Sequence, residues 1–273
     1  MKEIKIDELR ELQMQILDYV DAFCRNNSIK YTISGGTLLG AVRHGGYIPW
    51  DDDMDIQMLR KEYNRFTELW NQNKDKHGYY ELVNIESGNN MGYPFGKVHD
   101  KRTVTYLSGL ERTGVYIDVF PVDYVKDMED FEIRHAQILE LYQQRGRILY
   151  KMQRDNGNLG WKQRLLLLLH PAPAKTYNEI AEEINTLAMS NSNQRFPYAY
   201  EMVAGTKCKH PIFSEVFDDY YDIKFENRHY LAVRDYDTYL TKTFGDYMTP
   251  PSKKEREPHY FVPYWKNDTQ DIQ

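Results

Sequence analysis

The chain has 273 residues, enough to bury one full-sized α/β core with an appended helical part, and it needs no covalent staple. Its formal charge of −6 excludes a protein that coats nucleic acid, because backbone binding depends on many Lys and Arg releasing counterions. Cys24 and Cys208 belong to no CxxC or Cys/His cluster, which excludes a zinc finger or disulfide framework. The charged start from Met1 to Glu8 and the absence of any run of roughly 18 apolar residues lead us to expect a cytoplasmic protein.

Leu9, Leu12, Ile16, Leu17, Val20 and Phe23 recur at three- and four-residue spacing, which predicts an amphipathic helix over 4–26 that packs on a sheet. Ile29 to Ile33 alternates and is β-branched, so a strand follows, and Ser34-Gly35-Gly36 reads as a turn before a short helix from Thr37 to Arg43. His44-Gly45-Gly46 is a turn, Met54 to Leu59 a strand, and 61–74 a helix. Short strands are predicted for Tyr80 to Ile85, Phe95 to His99, Thr103 to Leu107 and Val115 to Phe120, all completing one mixed sheet. Helices are expected from 128 to 152, near 160 to 169, and from Lys175 to Met189, with an aromatic, loop-rich remainder. The fold class is thus α+β, a mixed sheet flanked by helices, with a division near 125 between a catalytic part (1–125) and a part (126–273) that completes the acceptor site.

Trp50-Asp51-Asp52-Asp53-Met54-Asp55-Ile56 carries the sharpest signal. Alternation along a strand aims Asp53 and Asp55 the same way with Met54 buried behind, and two adjacent carboxylates suit Mg²⁺ or Mn²⁺. Upstream, Ser34-Gly35-Gly36-Thr37 joins a strand to a helix, where missing side chains and free N–H groups let a phosphate approach closely. Gly114-Val-Tyr-Ile-Asp118-Val-Phe-Pro121 places one carboxylate among apolar residues, so Asp118 needs a partner, either as third metal ligand or as the base that takes a proton from the acceptor. Asp123 is a weaker candidate for such a role and reads more readily as a structural cap.

The stretch from Tyr31 to Ile56, Tyr-Thr-Ile-Ser-Gly-Gly-Thr-Leu-Leu-Gly-Ala-Val-Arg-His-Gly-Gly-Tyr-Ile-Pro-Trp-Asp-Asp-Asp-Met-Asp-Ile, closely resembles the signature of the LicD family. The resemblance continues in Gly96-Lys97-Val-His-Asp100, Ile117-Asp-Val-Phe-Pro121 and Tyr239-Leu…Phe244-Gly-Asp-Tyr-Met-Thr-Pro-Pro251, with His259 beyond. It implies a nucleotidyltransferase-like fold and transfer of a phospho-alcohol, typically phosphocholine from CDP-choline, onto a glycan. The similar fukutin-related enzymes use CDP-ribitol. It further implies Asp53, Asp55 and Asp118 as catalytic metal ligands, Gly35 and Gly36 as the phosphate loop, and Mg²⁺ (or Mn²⁺) as cofactor. Phe244 departs from the Tyr that this pattern leads one to expect, keeping the ring and losing its hydroxyl.

Ser34, Thr37, Arg43, His44, Trp50, Lys97 and His259 complete the candidate substrate contacts: Arg43 and Lys97 on phosphate, His44 and His259 as proton shuttles or structural groups. Abundant aromatic rings, including Tyr260 to Trp265, would suit a quaternary ammonium through cation–π attraction. From Arg145 to Lys175 seven basic residues face one acid, Asp155, and the Trp161-Lys-Gln-Arg-Leu-Leu-Leu-Leu-Leu169 run reads either as a peripheral contact with an anionic bilayer or as a buried helix. The partners expected are CDP-choline and a glycan acceptor, lipid-linked, with no nucleic acid. A sugar-nucleotide glycosyltransferase also uses an Asp-x-Asp pair, but the Gly-Gly turn before the pair and a third Asp after it favour the nucleotidyltransferase arrangement. Three retained carboxylates argue against a non-catalytic scaffold.

Overall fold

The computed structural model describes residues 1–85, 87, 92–107, 110, 111, 113–155, 157, 159–205, 210–252, 256 and 262–267; Cys208, His259 and Tyr260 lie outside them. The elements follow in the order β1 (Lys2–Glu3), α1 (Ile6–Asn26), β2 (Thr32–Ile33), α2 (Gly35–His44), β3 (Asp55–Leu59), α3 (Arg60–Gln72), β4 (Tyr80–Val83), β5 (Gly96–Asp100), β6 (Thr103–Leu107), β7 (Leu110–Glu111) and β8 (Tyr116–Val125). Then come α4 (Met128–Asp155), α5 (Trp161–Leu169), α6 (Tyr177–Ala188), β9 (Tyr198–Tyr200), β10 (Ile212–Phe213), β11 (Tyr220–Phe225), β12 (Arg228–Val233), α7 (Tyr236–Phe244) and β13 (Pro263–Trp265). Among the described residues no helix is long and apolar enough to cross a membrane.

The main sheet is mixed and is organised by β8. Along one edge β8 runs parallel to β3, from Asp55 opposite Asp118 to Leu59 opposite Val122. Along the other, its first half pairs antiparallel with β5 and its second half with β9. Parallel strands need a long crossover, and α3 with β4 and β5 supplies it. Leu9, Leu12, Ile16, Leu17 and Val20 of α1 join Tyr63, Phe66 and Trp70 of α3 in one apolar core, while α4 and α6 build a second around Phe131, Ile138, Ile180 and Ile184. The apolar face predicted for α1 is therefore the one it buries.

The structure departs from the sequence reading in four places. The first strand begins only at Thr32, because Ile29 N–H bonds to Cys24 O and Ser28 adopts φ +53, so 27–31 closes the end of α1 instead of joining a ladder. Gly35 and Gly36 form the first turn of α2, with Ser34 at its cap position, and are not a separate turn. β6 lies outside the main sheet and pairs with β13 and β7. The segment after 190 is not merely loop-rich: β9 and β10 extend the main sheet and β11–β12 form a hairpin whose Val233 N–H reaches Thr32 Oγ1 at 3.0 Å.

Candidate active site

The acidic loop before β3 is fixed by the first helix. Arg10 Nη2 donates to the carbonyls of Asp51 (2.6 Å), Ile48 (3.2 Å) and Pro49 (3.1 Å), and Gln13 Nε2 donates to that of Asp52 at 2.9 Å. Tyr47 in turn donates to Gln13 Oε1 at 3.1 Å. Asp53 stands just outside β3 and Asp55 begins it, with Met54 buried between them, so Asp53 lies two residues before the ladder starts. Thr37 Oγ1 accepts from Asp55 N–H at 2.9 Å, and Ser34 N–H donates to Asp55 O at 3.0 Å, which joins the start of α2 to the start of β3. Asp118 N–H donates to Met54 O at 2.9 Å, which sets its side chain beside that of Asp55 across the parallel pair.

Burial first, then the charges of Asp53, Asp118 and Glu201, push Asp55 well above the usual carboxylate range, against a smaller opposing pull from Lys97. Asp118 is raised by burial, with Lys97 opposing through charge and hydrogen bonding and Asp53 adding to the rise. The acids are therefore crowded and desolvated, which is the electrostatic signature of a functional cluster. Lys97 Nζ bonds to Asp118 Oδ1 and is wrapped by aromatic faces: its ammonium lies 3.7 Å from the Tyr116 ring centre, 4.8 Å from Tyr93 and 5.3 Å from Phe95. Among the described residues no three His, Cys, Asp or Glu side chains form a ready-made cage for a metal ion.

Two glycines let the helix start approach the acids. Gly35 has φ +53, and a Cβ there would lie 3.2 Å from Asp55 Oδ2; a Cβ at Gly36 would lie 2.6 Å from Asp51 Oδ2. Gly35 N–H donates to Tyr239 Oη at 3.3 Å, Tyr239 donates to Gln57 Oε1 at 3.0 Å, and Gln57 Nε2 donates to Glu201. This relay borders a cavity of about 530 Å³ lined by Ser34, Gly35, Asp55, Gln57, Glu201 and Tyr239, with Phe95, Phe120, Tyr200, Phe217 and Phe244 around them. Ser34 Oγ is buried with no hydrogen-bond partner, a polar atom held ready at the cavity wall. Glu201 touches the cavity, yet its carboxyl is desolvated and pushed up to about 8, burial outweighing its bond from Gln57. Phe244, the departure from the LicD-like pattern, contributes a ring without a hydroxyl at its place in the wall.

Ser34, Gly35, Gly36, Thr37, Asp53, Asp55, Lys97 and Asp118 are thus gathered around one place. Arg43, His44 and Trp50 are not on the cavity wall. Arg43 Nη1 is bound to Tyr247 O at 2.7 Å, the His44 and Trp50 rings meet edge-on at 6.1 Å, and Arg256 lies 4.5 Å over the Trp50 ring. Burial, with Arg43 and Arg256 nearby, keeps the His44 imidazole below its ordinary range. Asp123 is a structural acid: it takes a bidentate pair of 2.7 Å bonds from Arg60, both groups being buried, and Arg60 also reaches Asn185 at 3.0 Å. His259 lies outside the described residues.

Sequence reasoning missed Glu201, Gln57 and the role of Tyr239. Arg145, read from the sequence only as part of a basic run, has its guanidinium 4.4 Å from the Tyr177 ring and 5.7 Å from Tyr93, and its Nε is buried without a hydrogen-bond partner. Tyr239 stood in a quoted motif; Glu201 had no local signal at all.

A glycine-started helix facing paired and third carboxylates, on a mixed sheet, offers N–H groups to a phosphate and hard oxygens to a divalent cation. Residues 28–149 match the LicD/FKTN/FKRP nucleotidyltransferase domain. Over nearly its whole length the chain resembles the lipopolysaccharide cholinephosphotransferase LicD of Haemophilus influenzae, at 27% identity across 95% of this chain and 97% of that protein. A shorter stretch, 27% of this chain, is 40% identical to an uncharacterised protein of Rickettsia typhi and covers 24% of it. Human ribitol 5-phosphate transferase FKRP is 34% identical over 22% of this chain and 12% of its own length.

Proposed function

We propose that this chain is a metal-dependent transferase that moves phosphocholine from CDP-choline to a hydroxyl of a glycan, with CMP leaving. The acceptor is lipid-linked, a teichoic acid or lipopolysaccharide precursor, met at the inner face of the membrane, and residues 126–273 complete the acceptor and choline site around the nucleotidyltransferase-like part. The single observation that carries the reading is the juxtaposition of Asp53, Asp55 and Asp118 with the start of α2 at the mouth of an aromatic cavity.

The residues suit a divalent cation. Mg²⁺ commonly takes one or two carboxylates and completes its shell with water and phosphate oxygens, so it needs no full protein cage, and Asp53 and Asp55 with Asp118 supply hard oxygens whose mutual repulsion a cation would relieve. When bound there, Mg²⁺ or Mn²⁺ would neutralise charge on the donor phosphates. The α2 N-terminus and Ser34 Oγ offer hydrogen bonds to a phosphoryl oxygen. Lys97 holds Asp118 through Oδ1, which leaves Oδ2 for one of two roles, third ligand to the cation or base for the acceptor hydroxyl's proton, and a carboxylate raised by burial is a better base at neutral pH.

Choline is favoured over other alcohols by the cavity. Rings from Phe95, Phe120, Tyr200, Phe217, Tyr239 and Phe244 line it together with the acids Glu201 and Asp55, a lining that suits a quaternary ammonium. Ribitol phosphate is the second reading, favoured by the similarity to FKRP.

The test is CMP release by the purified protein, with Mg²⁺ or Mn²⁺, from CDP-choline, CDP-ribitol, CDP-glycerol and CDP-ethanolamine in turn. We expect turnover of CDP-choline, reduced at least about 100-fold in Asp53→Asn. Turnover of CDP-ribitol alone would keep the chemistry and overturn the substrate; no turnover of any donor, with lipid-linked glycan added, would overturn the reaction.

A further inference from the structure

The apolar surface of a globular protein is normally scattered, and a contiguous patch marks a contact. Here the exposed large apolar side chains concentrate on α5, where Trp161 is 71% exposed, Leu168 80%, Leu169 66%, and Leu165 and Leu166 also stand in solvent. Only Leu167 of that helix is buried. At about 100° per residue, Trp161, Leu165, Leu168 and Leu169 fall within an arc of about 100°, and Leu167 projects on the opposite side. The helix is therefore seated on the protein through Leu167 and turns its broad apolar face outward, the reverse of a helix that serves the core.

Charge brackets that face. On the same wheel Lys162 and Arg164 flank the arc, one on each side, and both are exposed. Lys151 at the end of α4 adds a further exposed cation, whereas Arg154 and Lys175 are paired with Asp155 and Glu183, and Met152 adds exposed apolar surface. An apolar stripe edged by cations matches the layering of a bilayer surface, in which acyl chains lie beneath anionic headgroups.

We infer that α5 is a peripheral docking helix whose Trp161/Leu165/Leu168/Leu169 face enters the interface of an anionic phospholipid bilayer, with Lys162 and Arg164 on the headgroups. The assignment stands on the α5 surface alone and holds whichever donor the transfer site takes. Its geometry nonetheless bears on that site. Arg145 faces the Tyr93 ring that also covers Lys97, and roughly 15 Å further along α4 that helix ends at Asp155, six residues before α5 begins.

Vesicle co-sedimentation of the full chain tests this, using vesicles of equal parts phosphatidylglycerol and phosphatidylcholine against phosphatidylcholine alone. Binding should occur to the anionic vesicles, weaken with salt, and shift the Trp emission to the blue in wild type but not in Trp161→Phe. The double variant Leu168→Glu/Leu169→Glu should lose binding by at least about tenfold while its melting temperature stays unchanged, because both side chains are exposed. Wild type failing to bind anionic vesicles, or the double variant binding as well as wild type, would overturn the proposal. So would sedimentation showing that the face joins two copies of the chain into a dimer that the double variant dissolves. CMP release in detergent solution, measured in parallel, separates failure of docking from failure of the transfer reaction.

Discussion

Glu201 is the residue whose chemistry depends most on its surroundings. Burial pushes its carboxyl up to about 8, so near neutral pH it favours the protonated form, whereas the unfolded chain carries an ordinary, ionised carboxylate. A group raised in this way stabilises the fold fully below its unfolded pKa and loses that contribution as pH rises through the folded value. Thermal midpoints of wild type should therefore fall between about pH 5 and 8 more steeply than those of Glu201→Gln, and equal slopes would place the proton elsewhere. A cationic headgroup favours the ionised acid. Affinity for CDP-choline should accordingly tighten from about pH 7 to 8.5, an effect absent for CDP-glycerol and lost in Glu201→Gln, which calorimetric titration would read directly.

At the scale of elements, the site depends on how closely α2 approaches the acidic loop and on how α3, β8 and α6 are tied. A methyl group at Gly36 would meet Asp51 Oδ2 at 2.6 Å, so Gly36→Ala should displace that carboxylate and slow CMP release by about tenfold, with a modest change in stability. A variant as fast as wild type would mean that the Asp51 side chain moves freely. The Arg60–Asp123 pair joins α3 to β8, and Asn185 of α6 caps the same guanidinium. Arg60→Met strands a fully buried acid, and urea unfolding should register a loss of about 3–5 kcal/mol. Asp123→Asn in the same background should recover part of it, since the stranded charge is then removed.

Across the whole molecule, the two ends of the chain close on each other. β13 lies between β1 and β6, Ile4 N–H donates to Pro263 O at 2.9 Å, and Trp265 Nε1 donates to Glu8 at 2.9 Å. Trp265 also faces the Arg102 guanidinium at 5.5 Å. Trp265→Ala removes the indole contacts that join helix α1 to the second sheet, and the melting temperature should drop by roughly 4–8 °C, as expected for a loss of about 2 kcal/mol in a chain of this size. An unchanged midpoint would mean that β13 adds no cooperativity to the fold.

What the sequence by itself determined is local. The apolar period of α1, the alternation through Asp53, Met54 and Asp55, the lone acid of the Asp118 strand and the glycines at 35 and 36 each express their physics within a few residues, so helix, strand and acidic cluster could be read directly. The run from Trp161 to Leu169 was legible as a helix with two readings, and its exposure speaks against the buried one: Leu167 points inward while Trp161, Leu165, Leu168 and Leu169 stand in solvent. The tertiary structure alone decided the relay from Gly35 through Tyr239 and Gln57 to Glu201. Gly35 and Tyr239 are 204 residues apart, and Gln57 and Glu201 are 144 apart. It likewise decided that β6 leaves the main sheet, since its partner β13 lies near the other end of the chain. Periodicity and turn chemistry act over one element; the pairing of strands and the desolvation of a carboxyl depend on what packs against them, and a single acid such as Glu201 carries no mark of that until the sheet has formed.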